Sequence, residues 1–158
     1  MDKVLIAPAT LAGIDGEFLT VLKKAAFALV FPRKKAQMTE DELLEQLTGI
    51  RAAIAGSEPY TRKVIDAHPQ LRVIARAGVG FDAVDTVAAT DHGVAVTIAP
   101  GTNQDAVAEH TFTLMLALAK NLISQHTGTV EGKWPRQANL PLRGRTLGIA
   151  GQIGRAHV

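Results

Sequence analysis

The sequence predicts an α/β fold, a doubly wound parallel sheet followed by the first part of a second α/β unit, and three observations carry this. Five apolar, strand-like runs alternate with helix-like stretches over the first ~100 residues, the rhythm of successive βα units. None of the five alternates polar with apolar residues, so each is expected to be buried on both faces, as in a parallel sheet covered by helices. Near the carboxyl end a further apolar run leads into a glycine-rich turn, Gly148-Ile-Ala-Gly151-Gln-Ile-Gly154.

Lys3-Val-Leu-Ile-Ala7 is the first strand, and Asp15 to Lys24 is the helix behind it. Phe27-Ala-Leu-Val-Phe31 is the second strand. Thr39 and Glu42 have the spacing of a capping box, and the helix they open runs to Gly49, a suitable residue for the C′ position. Ala52-Ala-Ile-Ala55 is the third strand, and the helix over Tyr60 to Ala67 stops before Pro69. Val73-Ile-Ala75 is the fourth. The helix after it spans Asp82 to Asp91, with Asp82 as N-cap, Asp85 at N3 and Gly93 as terminator. Val94-Ala-Val-Thr-Ile98 is the fifth. Right-handed crossovers through these units give a flavodoxin-like domain.

The next stretch differs. Thr102 and Asp105 form a second capping-box pair, and Val107, Thr111, Leu114, Leu118 and Leu122 then recur at helical spacing. With Met115, Ala117 and Ala119 this helix is apolar around much of its circumference, which fits burial between two domains or two subunits. A polar loop from Gly128 to Gly144 follows, broken by Pro135 and Pro141. Thr146 to Ala150 reads as a short buried strand before the glycine-rich turn.

Composition narrows the function classes. Apolar content of 47% and charged content of 20% suit a soluble globular protein with a packed core. A net charge of +2 with scattered cations, and only 4% aromatic residues, argues against a nucleic-acid surface. The absence of cysteine excludes disulfides and thiolate metal sites and points to a reducing, cytoplasmic setting. No apolar run reaches the ~18 residues that a bilayer span needs, and the polar Met-Asp-Lys start enters a strand at once, without a signal peptide. No pair of histidines or carboxylates has metal-ligand spacing.

Ligands of open parallel sheets bind beyond the carboxyl ends of the strands. There Gly78-Val79-Gly80 can turn successive backbone N–H groups inward as a nest for a carboxylate or phosphate oxygen, or can simply make a tight turn. Ala99-Pro-Gly-Thr-Asn103 can be a hinge with Asn103 facing a ligand, or an ordinary turn and cap. Arg76 can attract an anion or pair with Asp82 or Glu109. His110 is either a base or, more in keeping with its place on the long helix, a histidine satisfied at an interface; His68 and His92 read as helix-end residues, and Trp134 as loop packing.

Taken in order, Leu71-Arg-Val-Ile-Ala-Arg-Ala-Gly-Val-Gly-Phe-Asp82-Ala-Val-Asp85, Gly93-Val-Ala-Val-Thr-Ile-Ala-Pro-Gly-Thr-Asn103, Val107-Ala-Glu-His110-Thr and Gly132-Lys-Trp134 resemble the D-isomer-specific 2-hydroxyacid dehydrogenases, the phosphoglycerate, glyoxylate/hydroxypyruvate and D-lactate dehydrogenases. The resemblance implies a substrate-binding domain over residues 1–100. Residues 101–158 would be an interdomain or dimerisation helix, a loop and the first strand-turn of an incomplete Rossmann domain. It implies hydride transfer between a small 2-hydroxy or 2-oxo acid and NAD, with NADP also open, in a full-length homodimer. It places Ser57, Gly78, Val79, Gly80 and Asn103 on the substrate, and Val79, Gly151, Gln152, Ile153 and Gly154 on the cofactor.

Two departures stand out. Phosphoglycerate-type members often carry an arginine just before the serine, where this chain has Gly56, which weakens a phosphorylated substrate unless Arg33 or Arg76 compensates. The family's Gly-x-Gly-x-Ile-Gly turn is two residues shorter here, and Ile149 stands where the first turn glycine belongs, pinching the pyrophosphate loop. The family's catalytic Arg, Glu and His, and its ribose-binding acid, would all lie beyond Val158. The expectation is therefore a truncated chain that is inactive alone; the alternative is a non-catalytic binding or oligomerisation module of the same superfamily.

Overall fold

In the computed structural model, residues 1–33 and 36–150 are described. The chain divides into two compact units, Met1–Thr102 and Asn103–Val158. The first holds β1 (Lys3–Ile6), α1 (Glu17–Lys24), β2 (Ala28–Val30), α2 (Glu40–Gln46), β3 (Ala52–Ala55), α3 (Arg62–Asp66), β4 (Val73–Arg76), α4 (Thr86–Asp91) and β5 (Ala95–Thr97). All neighbouring strands pair in parallel, in the order β2-β1-β3-β4-β5. This is the flavodoxin-like order expected for successive βα units.

The apolar runs became strands because their side chains fill both faces of the sheet centre. Leu5, Ala53 and Ile74 join a core with Leu43, Leu47, Val64, Ile65 and Leu71 from the helices and their connections. Val4 and Ile6, alternating with Leu5, are buried as well. The edge strands depart from the expectation: β2 is only half-buried, and Ala95 and Thr97 of β5 are exposed. An edge strand has a neighbour on one side only, so continuous apolar runs overstate its burial.

Three helix starts also differ, the smallest change being α1, which begins at Glu17 behind Gly16 rather than at Asp15. Asp82 is not a cap; Asp85 takes that role, its carboxylate accepting from Ala88 N at 2.8 Å, so α4 begins at Thr86. Tyr60 does not open α3. It pairs in parallel with Val84, and Thr61 caps the helix instead. The capping box of α2 forms as its spacing predicts, with Glu42 N donating to Thr39 Oγ1 (3.3 Å) and Thr39 N to Glu42 Oε2 (3.0 Å). Thr39→Ala should lower stability by about 1 kcal/mol in urea unfolding; an unmoved midpoint would show that the box contributes nothing.

His68 follows α3 as expected of a helix-end residue, yet its ring is buried. Burial disfavours the imidazolium and lowers its pKa, and the nearby Leu44 carbonyl offsets this only in part. The unfolded chain then binds the proton more readily than the folded one. Stability is full above the ordinary histidine value of 6.5 and falls as the pH drops below it, levelling off beneath the depressed folded value. Urea midpoints at descending pH should show this loss, and His68→Gln should flatten it.

The second unit holds α5 (Gln104–Ala119) and α6 (Leu122–Val130), joined through Lys120 and a left-handed Asn121. The single helix expected to run through Leu122 is thus broken at Asn121. Thr102 does not box its start; the hydroxyl donates back to Ala99 O at 2.8 Å. Lys120 Nζ and the amides of Asn121 and Gln125 bind the loop at Leu140 O and Asn139 Oδ1. No residue described in this unit is buried, and Trp134, expected to pack its loop, is 82% exposed. Thr146 to Ala150 forms no strand, because no described strand in this unit offers it a ladder of hydrogen bonds.

Candidate functional site

β3 and β4 are neighbours, so the loops at their carboxyl ends, residues 56–59 and 77–83, lie side by side. They are tied twice. At the sheet, Ala77 N donates to Ala55 O (2.9 Å); beyond it, Tyr60 N donates to Ala83 O (2.8 Å) and Asp85 N to Tyr60 O (2.9 Å).

In the first loop, the buried Glu58 carboxylate folds back, its Oε2 accepting from Gly56 N at 2.6 Å. A Cβ at position 56 would stand 2.9 Å from Glu58 Oε1, so glycine there follows from the carboxylate behind it. A larger residue in that place has no room unless Glu58 moves. Ser57 is exposed; its carbonyl accepts from Gln37 Nε2 at 2.6 Å, and its hydroxyl has no hydrogen bond among the described residues.

In the second loop the carbonyls of both glycines are occupied while the amides from Val79 to Phe81 are not. Gly78 O accepts from Ala99 N (2.9 Å) and Gly80 O from Arg76 Nε (2.7 Å). The N–H groups of Val79, Gly80 and Phe81 donate to no acceptor among the described residues. In a trans peptide the C=O and the following N–H point in opposite directions. Holding Gly78 O and Gly80 O therefore leaves the Val79 and Phe81 amides turned away from the protein acceptors. Three free donors beside glycines on an exposed loop can receive a carboxylate or another small anion. Val79 and Phe81 present exposed apolar side chains beside them.

Arg76 does not pair with Asp82. Its guanidinium goes to backbone carbonyls, Nε to Gly80 O and Nη1 to Ala55 O at 3.4 Å. Arg33, the other cation considered for a phosphate, stands 3.8 Å from Glu45 with both side chains exposed. Asn103 belongs to the second unit as the residue before α5, and its side chain makes no capping bond. His110 is exposed on α5, and His92 caps α4, its Nε2 3.3 Å from Asp66 Oδ1. The expected cofactor residues Gly151, Gln152, Ile153 and Gly154 lie outside the described residues. No group of metal-ligating side chains occurs among the described residues, and no helix there is long and apolar enough to cross a membrane.

Glu58 and Tyr60 were not legible as site residues, because a glutamate reads as exposed and a tyrosine before a capping threonine reads as helix. Tyr60 is completely buried and its hydroxyl has no partner among the described residues. Burial, reinforced by the Glu58 charge and opposed by Arg76, holds this phenol far above its ordinary range, so it is neutral at any working pH.

A family model for the D-isomer specific 2-hydroxyacid dehydrogenase catalytic domain matches residues 9–150. The chain belongs to this family. D-3-phosphoglycerate dehydrogenase of Archaeoglobus fulgidus is 39% identical over 77% of the chain, and hydroxypyruvate reductase of Thermotoga maritima is 33% identical over 82%. The chain covers only 23% of the first relative and 45% of the second. Among solved structures, a Thermus thermophilus protein superposes with a TM-score of 0.74 at 27% identity, over 89% of this chain and 45% of that one. NAD-dependent formate dehydrogenase of Staphylococcus aureus, in complex with NAD, gives 0.66 at 28% identity, over 85% and 43%. The family and the sheet order thus agree with the reading of the motifs.

Proposed function

We propose that this chain carries the substrate-binding domain, residues 1–100, of an NAD-dependent oxidoreductase that interconverts a D-2-hydroxy acid and its 2-oxo acid. The observation that carries the reading is the loop 78–80, with the carbonyls of Gly78 and Gly80 tied and the amides of Val79 to Phe81 left to bind. The substrate carboxylate sits on these amides. Ser57 reaches it from the neighbouring loop, and Asn103 supplies a further polar contact. Residues 101–158 begin the cofactor-binding domain. NAD, or NADP in its place, supplies or accepts the hydride when bound. The apolar Val79 suits the nicotinamide end, and the glycine-rich sequence from Gly151 to Gly154 suits the phosphates. The protein works in the cytoplasm, in keeping with a chain that has no cysteine to oxidise.

Titration of the ¹⁵N-labelled chain with D-lactate tests this. The amides of Val79, Gly80 and Phe81 should shift, with D-lactate preferred over L-lactate, and NADH should not be consumed when pyruvate is added to this chain alone. Unmoved loop amides would sink the proposal.

A second observation favours a further role in assembly. Leu114 and Leu118 of α5, one turn apart on one face, are exposed, and Phe112 is exposed on another face of the same helix. This supports a homodimer formed through α5, and equally a module whose role is oligomerisation without turnover.

A further inference from the structure

Two charged side chains touch the loop: Asp82, whose Oδ1 lies 3.1 Å from where a Cβ of Gly80 would stand, and Arg76, the one cation among the described residues that hydrogen-bonds to it. Arg76 leaves the end of β4 and folds over the turn that follows, donating from Nε to Gly80 O (2.7 Å) and from Nη1 to Ala55 O (3.4 Å). Its Nη2 lies 3.9 Å from where a Cβ of Gly78 would be, so the guanidinium covers the loop along its length. We propose that Arg76 is a positioning residue of this site: its guanidinium fixes the peptide between Gly80 and Phe81 and thereby aims the Phe81 N–H at the ligand. The inference rests on the carboxylate-binding function proposed above.

The physical reason is local. The Gly78–Val79 peptide is already held by Ala99 N, a backbone group that no side-chain change removes. Among the described residues the Gly80–Phe81 peptide has no backbone partner on its carbonyl, and only Arg76 holds it. Glycine at position 80 leaves that peptide free to rotate once the side chain is gone. A guanidinium suits the task because its donors are rigidly spaced in one plane. Lysine would keep the charge but has no second donor fixed in the same plane. The geometry therefore separates a role by charge from a role by shape.

The test follows the Phe81 amide in the intact chain with D-lactate as the probe. In Arg76→Gln, the free protein should already show a displaced and faster-exchanging Phe81 amide, while amides of β1 and β3 keep their shifts. D-lactate should then bind roughly tenfold more weakly or worse. Arg76→Lys should fail in the same way, and it carries the comparison if Arg76→Gln does not fold. Wild-type affinity in either variant, or full recovery in Arg76→Lys alone, overturns the positioning role while the carboxylate-binding function stands. A wild-type chain whose loop amides ignore D-lactate overturns both.

Discussion

Tyr60→Phe is expected to stabilise the first unit by about 1 kcal/mol, and Tyr60→Ala to cost it about 3–5 kcal/mol. Tyr60 is the largest of the fully buried side chains, in a cluster with Val64, Val84 and Ala88. Truncation to alanine leaves a ring-sized cavity that the surrounding core can close only in part. The hydroxyl is a different matter. It is buried without a hydrogen-bond partner among the described residues, so removing it relieves a desolvation penalty and breaks no bond. Urea unfolding of the two variants separates the ring from its hydroxyl. A Tyr60→Phe chain less stable than the parent would show that the hydroxyl is satisfied after all, by a bound water. The phenylalanine variant should also leave D-lactate binding unchanged, because the backbone of residue 60, and not its phenol, holds the neighbouring loop.

Paired charges on the long helix, Leu114→Asp with Leu118→Asp, are expected to convert a self-associated chain to a monomer in light scattering. The two leucines lie one helical turn apart and are 51% and 79% exposed. In a homodimer through α5 each would bury most of that area, worth about 1.5–3 kcal/mol apiece. Losing both should weaken association by more than about a hundredfold. The melting of the first unit should not change. A parent chain that is monomeric at high concentration would remove the support for a dimer through this helix.

The strand pattern was legible because apolar runs without polar alternation have few other uses in a soluble chain. Ala52–Ala55 is recovered to the residue, and β4 is only one residue longer than its apolar run. Helix starts were harder. Asp82 and Asp85 can each cap, and residue type alone does not tell which one has its backbone extended; Tyr60–Val84 pairing holds the chain straight past Asp82. The loop at 78–80 was visible in its glycines but not in what controls them. Arg76 read as an ion-pairing residue because its true partners are carbonyls, which carry no sequence signal. Glu58 was hidden for the same reason, since its bond is to the Gly56 amide. Gly56 itself was seen as a missing arginine; the structure gives it a positive cause in the carboxylate lying behind it.

The double tie between the loops has a consequence for conformational entropy. The seven residues from Ala77 to Ala83 are pinned at both ends, by Ala55 O and by Tyr60 N. Ordering a free segment of that length would cost on the order of 7–14 kcal/mol at about 1–2 kcal/mol per residue. A ligand of about six heavy atoms can return at most about 9 kcal/mol, even at the best efficiency known for small molecules. Over most of that range a 2-hydroxy acid as small as lactate could not freeze such a loop and still bind. The short parallel bridge at Tyr60 and Val84 settles much of that cost at folding, which the proposed recognition of so small a molecule would require.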